Sequence, residues 1–78
     1  MIVVDTNILA NLLLPTPMTP AAETLYQSDP EWAAPVLWRS ELRNVLALYL
    51  RKGLLPLDRV LALQEEAECL MAGREFQV

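Results

Sequence analysis

An α/β layer fold, a short parallel sheet with helices packed on it, is the architecture this sequence predicts. Three observations carry the prediction. Ile2-Val3-Val4 is an unbroken β-branched run, which reads as a short strand buried on both faces. Helical apolar patterns follow it and flank a second short apolar stretch, Glu31-Trp32-Ala33-Ala34-Pro35. The last residues, Arg74-Glu75-Phe76-Gln77-Val78, alternate polar and apolar like the opening of another strand. The order β-α-α-(β)-α-α-β favours a layered sheet, with a helical bundle as the alternative.

Taken in order, the first strand ends on Asp5, and the apolar run Ile8 to Leu14 follows as a helix. That helix is expected to start at Thr6 or Asn7 and to stop before Pro15, since a residue preceding proline avoids helical angles. Pro15 to Pro20 is an extended connector. Thr19 then offers an N-cap hydroxyl ahead of Pro20 at the first helical position. The second helix, Pro20 to about Ser28, is predicted to turn Ala21, Ala22, Leu25 and Tyr26 inward and to end at Asp29-Pro30. Glu31 to Pro35, bracketed by prolines, is a brief strand or an extended entry. A third helix, Val36 to Lys52, repeats Trp38, Leu42, Val45, Leu46 and Tyr49 on one face. Arg51 and Lys52 suit its C-terminal dipole, and Gly53 suits the residue after it. The fourth helix, Leu57 to Ala72, is predicted to bury Leu57, Val60, Leu61, Ala67, Leu70 and Met71, with Gly73 closing it.

Composition narrows the chemistry. The 78 residues suffice for one small domain, and 54% of them are hydrophobic. That is high for a small chain and predicts apolar faces covered by a second half, a second copy or a partner. The apolar runs are far shorter than the roughly 18 residues a membrane span needs. No charged leader is recognisable, and a single cysteine, Cys69, fits a reducing compartment. The expectation is a cytoplasmic protein with no membrane contact. Without histidine, Ser-His-Asp and Cys-His catalysis are excluded, and so is an ordinary zinc site. Two glycines, neither after a strand, leave no Gly-rich phosphate loop. Carboxylate chemistry survives, alone or with a hard cation. The net charge is −4, yet four of the six basic residues, Arg39, Arg43, Arg51 and Lys52, fall in one segment.

Asp5 is the first candidate. As a bare residue in a βα turn it reads as a helix cap. Thr6 and Asn7 could cap equally well without placing a charge beside an apolar strand. In open α/β sheets, moreover, ligands sit at the carboxyl ends of the strands. Glu41 is the second candidate. It lies at the edge of the buried face of its helix, either as a solvated flank or as a carboxylate looking towards Asp5. Two carboxylates about 4 Å apart repel by roughly 4 kcal/mol at an effective dielectric of about 20. A hard cation, Mg²⁺ or Mn²⁺, converts that repulsion into binding. Arg39 and Arg43, one helical turn apart, are a solvated face or a pair of phosphate contacts. Trp32 and Trp38 read as core before they read as base-stacking residues.

Val3-Val4-Asp5-Thr6-Asn7, the Pro35 entry and Ser40-Glu41-Leu42-Arg43-Asn44-Val45-Leu46 together resemble the PIN-domain family, closest to the VapC-type toxin ribonucleases. The resemblance covers essentially the whole chain. It implies a Rossmann-like sheet between helices and an acidic site that binds Mg²⁺ or Mn²⁺ for RNA cleavage. In that scheme Asp5 and Glu41 are the catalytic, metal-holding acids, and Asn7 and Thr6 support them. Apart from the resemblance, Arg39 and Arg43 stay as the candidate RNA contacts, with a solvated helix face as the alternative. The implied partners are single-stranded or structured RNA, a cognate antitoxin protein, and further copies in a homo-oligomer. The family's later acids have no counterpart here, and Glu65, Glu66 and Glu68 are expected on an outer face. Residues 1–78 are therefore read as the N-terminal part of a single PIN-like domain, incomplete at the C-terminus and weakly active or inactive alone. The alternative is a non-catalytic interaction module that keeps the scaffold.

Overall fold

The computed structural model describes residues 1–77. Its elements run β1 (Ile2–Val3), α1 (Thr6–Leu13), α2 (Thr19–Ser28), β2 (Trp32–Pro35), α3 (Trp38–Arg51), α4 (Leu57–Met71) and β3 (Glu75–Phe76). The α/β class is as predicted: four helices and a three-stranded parallel sheet among the described residues. Val78, the last residue of the expected final strand, lies outside them.

The strands lie side by side in chain order, β1-β2-β3. Ile2 and Val3 face Trp32 and Ala33, and Ala34 and Pro35 face Glu75 and Phe76. Each step from strand to strand goes the same way. Crossovers of one hand that advance in one direction pile their helices on one face of the sheet. Ile2, Val4, Trp32 and Ala34 point into that layer and join Leu9, Leu14, Trp38, Leu42, Leu46, Leu63, Ala67 and Met71 in one core. Each fully buried large side chain there contributes about 1.5–3 kcal/mol.

Among the described residues no helix packs on the opposite face. By register it presents Val3, Ala33, Pro35 and Phe76, with Val3 67% and Phe76 40% exposed, Pro35 half-buried and Ala33 buried. The expectation that the first strand is buried on both faces is thus corrected, because β1 is an edge strand with one covered face. The chain is nonetheless compact, with a radius of gyration of 12.1 Å against about 11.5 Å for a folded chain of this length.

The helices follow their sequence signals with two exceptions. After α3, Gly53 adopts φ 71° and donates to Leu50 O, while Leu54 N donates to Tyr49 O. This Schellman closure needs the left-handed residue that glycine supplies. After α4, Ala72 and Gly73 (φ 79°) form a type II turn closed by Arg74 N to Met71 O at 2.9 Å. The first exception is Thr19, which does not cap α2. Its hydroxyl donates to Leu14 O at 2.6 Å and accepts from Thr16 N, fastening the proline connector to the end of α1. The second is the inward face of two helices. On α2 only Ala22 is buried and Tyr26 half-buried, leaving Ala21 and Leu25 exposed. On α4, Leu63 takes the inward place expected of Leu57 and Leu61, which are exposed. Both helices are apolar on more than one side, so periodicity alone left the buried stripe undecided. No described helix is long and apolar enough to cross a membrane.

Candidate metal centre

Two βα junctions end at the same edge of the sheet. At the first, Asp5 leaves β1 in an extended conformation (φ −95°, ψ 174°) and caps α1, its Oδ1 accepting from Ile8 N at 3.0 Å. The capping reading of Asp5 is therefore realised. It occupies one carboxylate oxygen only. Thr6, the first residue of α1, is 8% exposed, the one buried polar residue described.

At the second junction, Pro35 ends β2, and Val36 and Leu37 turn the chain into α3. Glu41 falls in the first turn of α3, where the helix dipole favours a negative charge. The Thr6 hydroxyl donates to Glu41 Oε1 at 2.7 Å. This bond ties the first turn of one helix to the first turn of another and fixes where the Glu41 carboxylate points.

Asp5, Thr6, Asn7, Glu41 and Val45 line a single hollow of about 330 Å³. The two acids singled out from the sequence are thus brought to one place. Asp5 Oδ2 and Glu41 Oε2 have no hydrogen-bond partner among the described residues. Carboxylate oxygens are the donors Mg²⁺ and Mn²⁺ prefer, with water completing the shell. The residues present fit such an ion to the extent of two carboxylates. No cluster of three or more Asp, Glu, His or Cys occurs among the described residues. Asn7 lines the hollow, but the hydrogen bond that supports Glu41 comes from Thr6.

The basic candidates separate. Arg39 is held by Glu75, Nε to Oε1 at 2.7 Å and NH2 to Oε2 at 2.8 Å, with Glu68 3.7 Å away. Trp38 Nε1 also donates to Glu75 Oε1 at 2.6 Å. The Arg39 guanidinium, and then the Trp38 indole, hold the Glu75 carboxyl below its ordinary range against an opposing effect of burial. Arg43 is exposed and makes no ion pair among the described residues. Both tryptophans are core residues, Trp32 meeting Tyr26 edge-on at 5.2 Å.

Two features escaped the sequence reading. Glu75 sits 36 residues from Arg39, and only the strand alternation around it hints at a buried side. A cleft formed by Pro35, Val36, Leu37, Glu41 and Gln77 adjoins the hollow. It joins two segments that no local pattern relates. Compared with family models, curated proteins and solved structures, the chain matches none of them.

Proposed function

We propose that this chain carries part of the acidic site of a metal-dependent endoribonuclease of the PIN, VapC-like kind, on a Rossmann-like sheet. One observation supports the reading above the others: Asp5 and Glu41, 36 positions apart in the sequence, line one hollow at the carboxyl edge of a parallel sheet. A bound Mg²⁺ or Mn²⁺ ion supplies charge neutralisation for a phosphodiester and lowers the pKa of its water.

The chain's own groups do the rest. Asp5 and Glu41 hold the ion through carboxylate oxygens, and Thr6 keeps Glu41 from rotating away. Arg43, one turn beyond Arg39 on α3 and unpaired among the described residues, offers a cation to a backbone phosphate. Two acids fix one ion through retained waters, whereas in-line displacement requires both the attacking and the leaving oxygen to be held. Misplacement by about 1 Å costs on the order of 100-fold, so turnover by these residues alone is slow. The partners that go with this reading are single-stranded or structured RNA, an antitoxin protein, and a second copy of the chain against the bare sheet face.

Asp5→Asn gives a direct test. Asparagine caps a helix as well as aspartate does, so α1 survives while the charge is lost. The wild type is expected to bind Mn²⁺ in a spin-resonance titration, with affinity at least about tenfold weaker in Asp5→Asn and Glu41→Gln. Slow Mn²⁺-dependent cleavage of a single-stranded RNA should disappear with it. Equal Mn²⁺ binding by all three proteins would sink the reading. The bare apolar face of the sheet favours a second reading, a non-catalytic module that docks a protein there. Binding of neither Mn²⁺ nor RNA, together with a stable complex through that face, would select it.

A further inference from the structure

The hollow at Asp5 and Glu41 has an apolar neighbour. Pro35, Val36, Leu37, Glu41 and Gln77 line a cleft of about 580 Å³, inside the roughly 300–1,000 Å³ range of small-molecule sites. Glu41 lines both spaces and forms the boundary between them. Val36 and Leu37 are 42% and 61% exposed, large apolar side chains left uncovered beside a charged site. Their backbone is nonetheless fixed. Val36 N donates to Phe76 O at 2.8 Å, and Leu37 O accepts from Ser40 N and Glu41 N. The wall is preformed.

We infer that this cleft is a nucleobase subsite, holding a base of the RNA strand whose phosphate lies at Asp5 and Glu41. The choice of ligand rests on the metal-dependent ribonuclease reading above. The chemistry of the lining selects the part of the nucleotide. No basic residue lines the cleft, and Glu41 at its edge repels a phosphate that no cation accompanies. What fits is an uncharged, flat group with a polar rim. Pro35, Val36 and Leu37 offer apolar surface to the face of the base. The Gln77 amide offers both a donor and an acceptor to its edge. In a nucleotide the base stands one sugar away from its phosphate, and here the two spaces share a wall.

The test uses nucleosides, which lack the phosphate, in chelator, so that no metal contributes. Amide chemical shifts are followed by NMR as uridine, cytidine, adenosine and guanosine are added singly. At least one nucleoside is expected to move the Val36, Leu37, Glu41 and Gln77 signals. Its affinity is expected to fall at least tenfold in Leu37→Asp, a substitution at an exposed position, with helix content checked by circular dichroism. Gln77→Ala, at an exposed position, should weaken it less and change the preference among the four bases. Shifts at these residues that persist in Leu37→Asp would overturn the inference. So would their absence with all four nucleosides at millimolar concentration, including the case where an apolar peptide produces them instead. Mn²⁺ line broadening at Asp5, Thr6 and Glu41 is read separately. Its failure removes the metal reading and leaves the nucleoside result to stand or fall by itself.

Discussion

Arg39 and Glu41 stand two residues apart on α3 and end in opposite surroundings. Around Arg39 the hydrogen bonding is saturated: both Glu75 oxygens are taken, one by Arg39 and the other shared out to Arg39 and Trp38, and Glu68 adds a second acid nearby. Around Glu41 it is not. One hydroxyl serves the carboxylate, a second carboxylate lines the same hollow, and no basic side chain among the described residues lines it. A polar cluster that serves the fold balances its own charges, because unpaired charge costs stability. A cluster that leaves two acids unbalanced is stable only at the solvent edge, where Asp5 and Glu41 both lie, or with a cation bound.

The comparison breaks first, if it breaks, at Glu75. Glu75→Ala should cost about 1–2 kcal/mol in denaturant unfolding, chiefly because it orphans the buried Trp38 indole N–H, the half-exposed Arg39 pair adding little. Mn²⁺ affinity should stay within about twofold, a change of less than about 0.5 kcal/mol. A large loss of metal binding would show that the two corners are one site. The pH dependence follows the same division. Glu75 is held below its ordinary value of 4.5, so its contribution is complete above that value and is lost as pH falls through the depressed one. Asp29, held down by the Met1 ammonium at 3.0 Å and by Glu31 N–H, adds with the same sign. Thermal midpoints should be level from neutral pH to about 5 and fall below about 4.5, and Glu75→Ala should flatten that fall.

The Asp5 and Glu41 corner gives the next largest effect. Thr6→Val, which deletes the hydroxyl that aims Glu41, should weaken Mn²⁺ binding about tenfold, or about 1.4 kcal/mol, as loss of an outer-shell partner does. Unchanged affinity would mean that Glu41 needs no orienting. Smaller again is the capping effect. In chelator, Asp5→Ala should destabilise by about 1 kcal/mol and Asp5→Asn by a few tenths, read from urea midpoints. Smallest in stability is Arg43→Ala, expected within about 0.5 kcal/mol of wild type. It should still lower the salt slope of RNA binding by about one unit, whereas a matching drop in Arg39→Ala would contradict the locked state of that side chain.

Much of this architecture was written in short-range signals. The βα turn at Asp5, the proline stops and the glycine ends at Gly53 and Gly73 each rest on chemistry within a few residues. That Asp5 and Glu41 would share one hollow was legible for a related reason, since Asp5 stands where a strand ends and Glu41 at the margin of a helical stripe. Which side of each element is covered was less legible. Val3 and Phe76 alternate as strand residues should, but alternation says only that neighbours face apart. The winding direction of the sheet decides which side receives helices. Leu61 and Leu63 pose the same problem on α4, where apolar residues occupy several sides. The Arg39–Glu75 lock and the Gln77 wall were invisible, as each joins positions more than thirty residues apart.

The hydrogen bond from Thr6 to Glu41 spans 35 residues, and its length along the chain has a kinetic meaning. Bringing the partners together closes a loop of 35 residues, so the hollow between them is assembled by ring closure over nearly half the protein. A cation held there binds the closed chain and not the open one. At a concentration about 100 times its dissociation constant it would stabilise the native state by about 2.7 kcal/mol. The ion would then act as a clasp on the fold as well as a reagent.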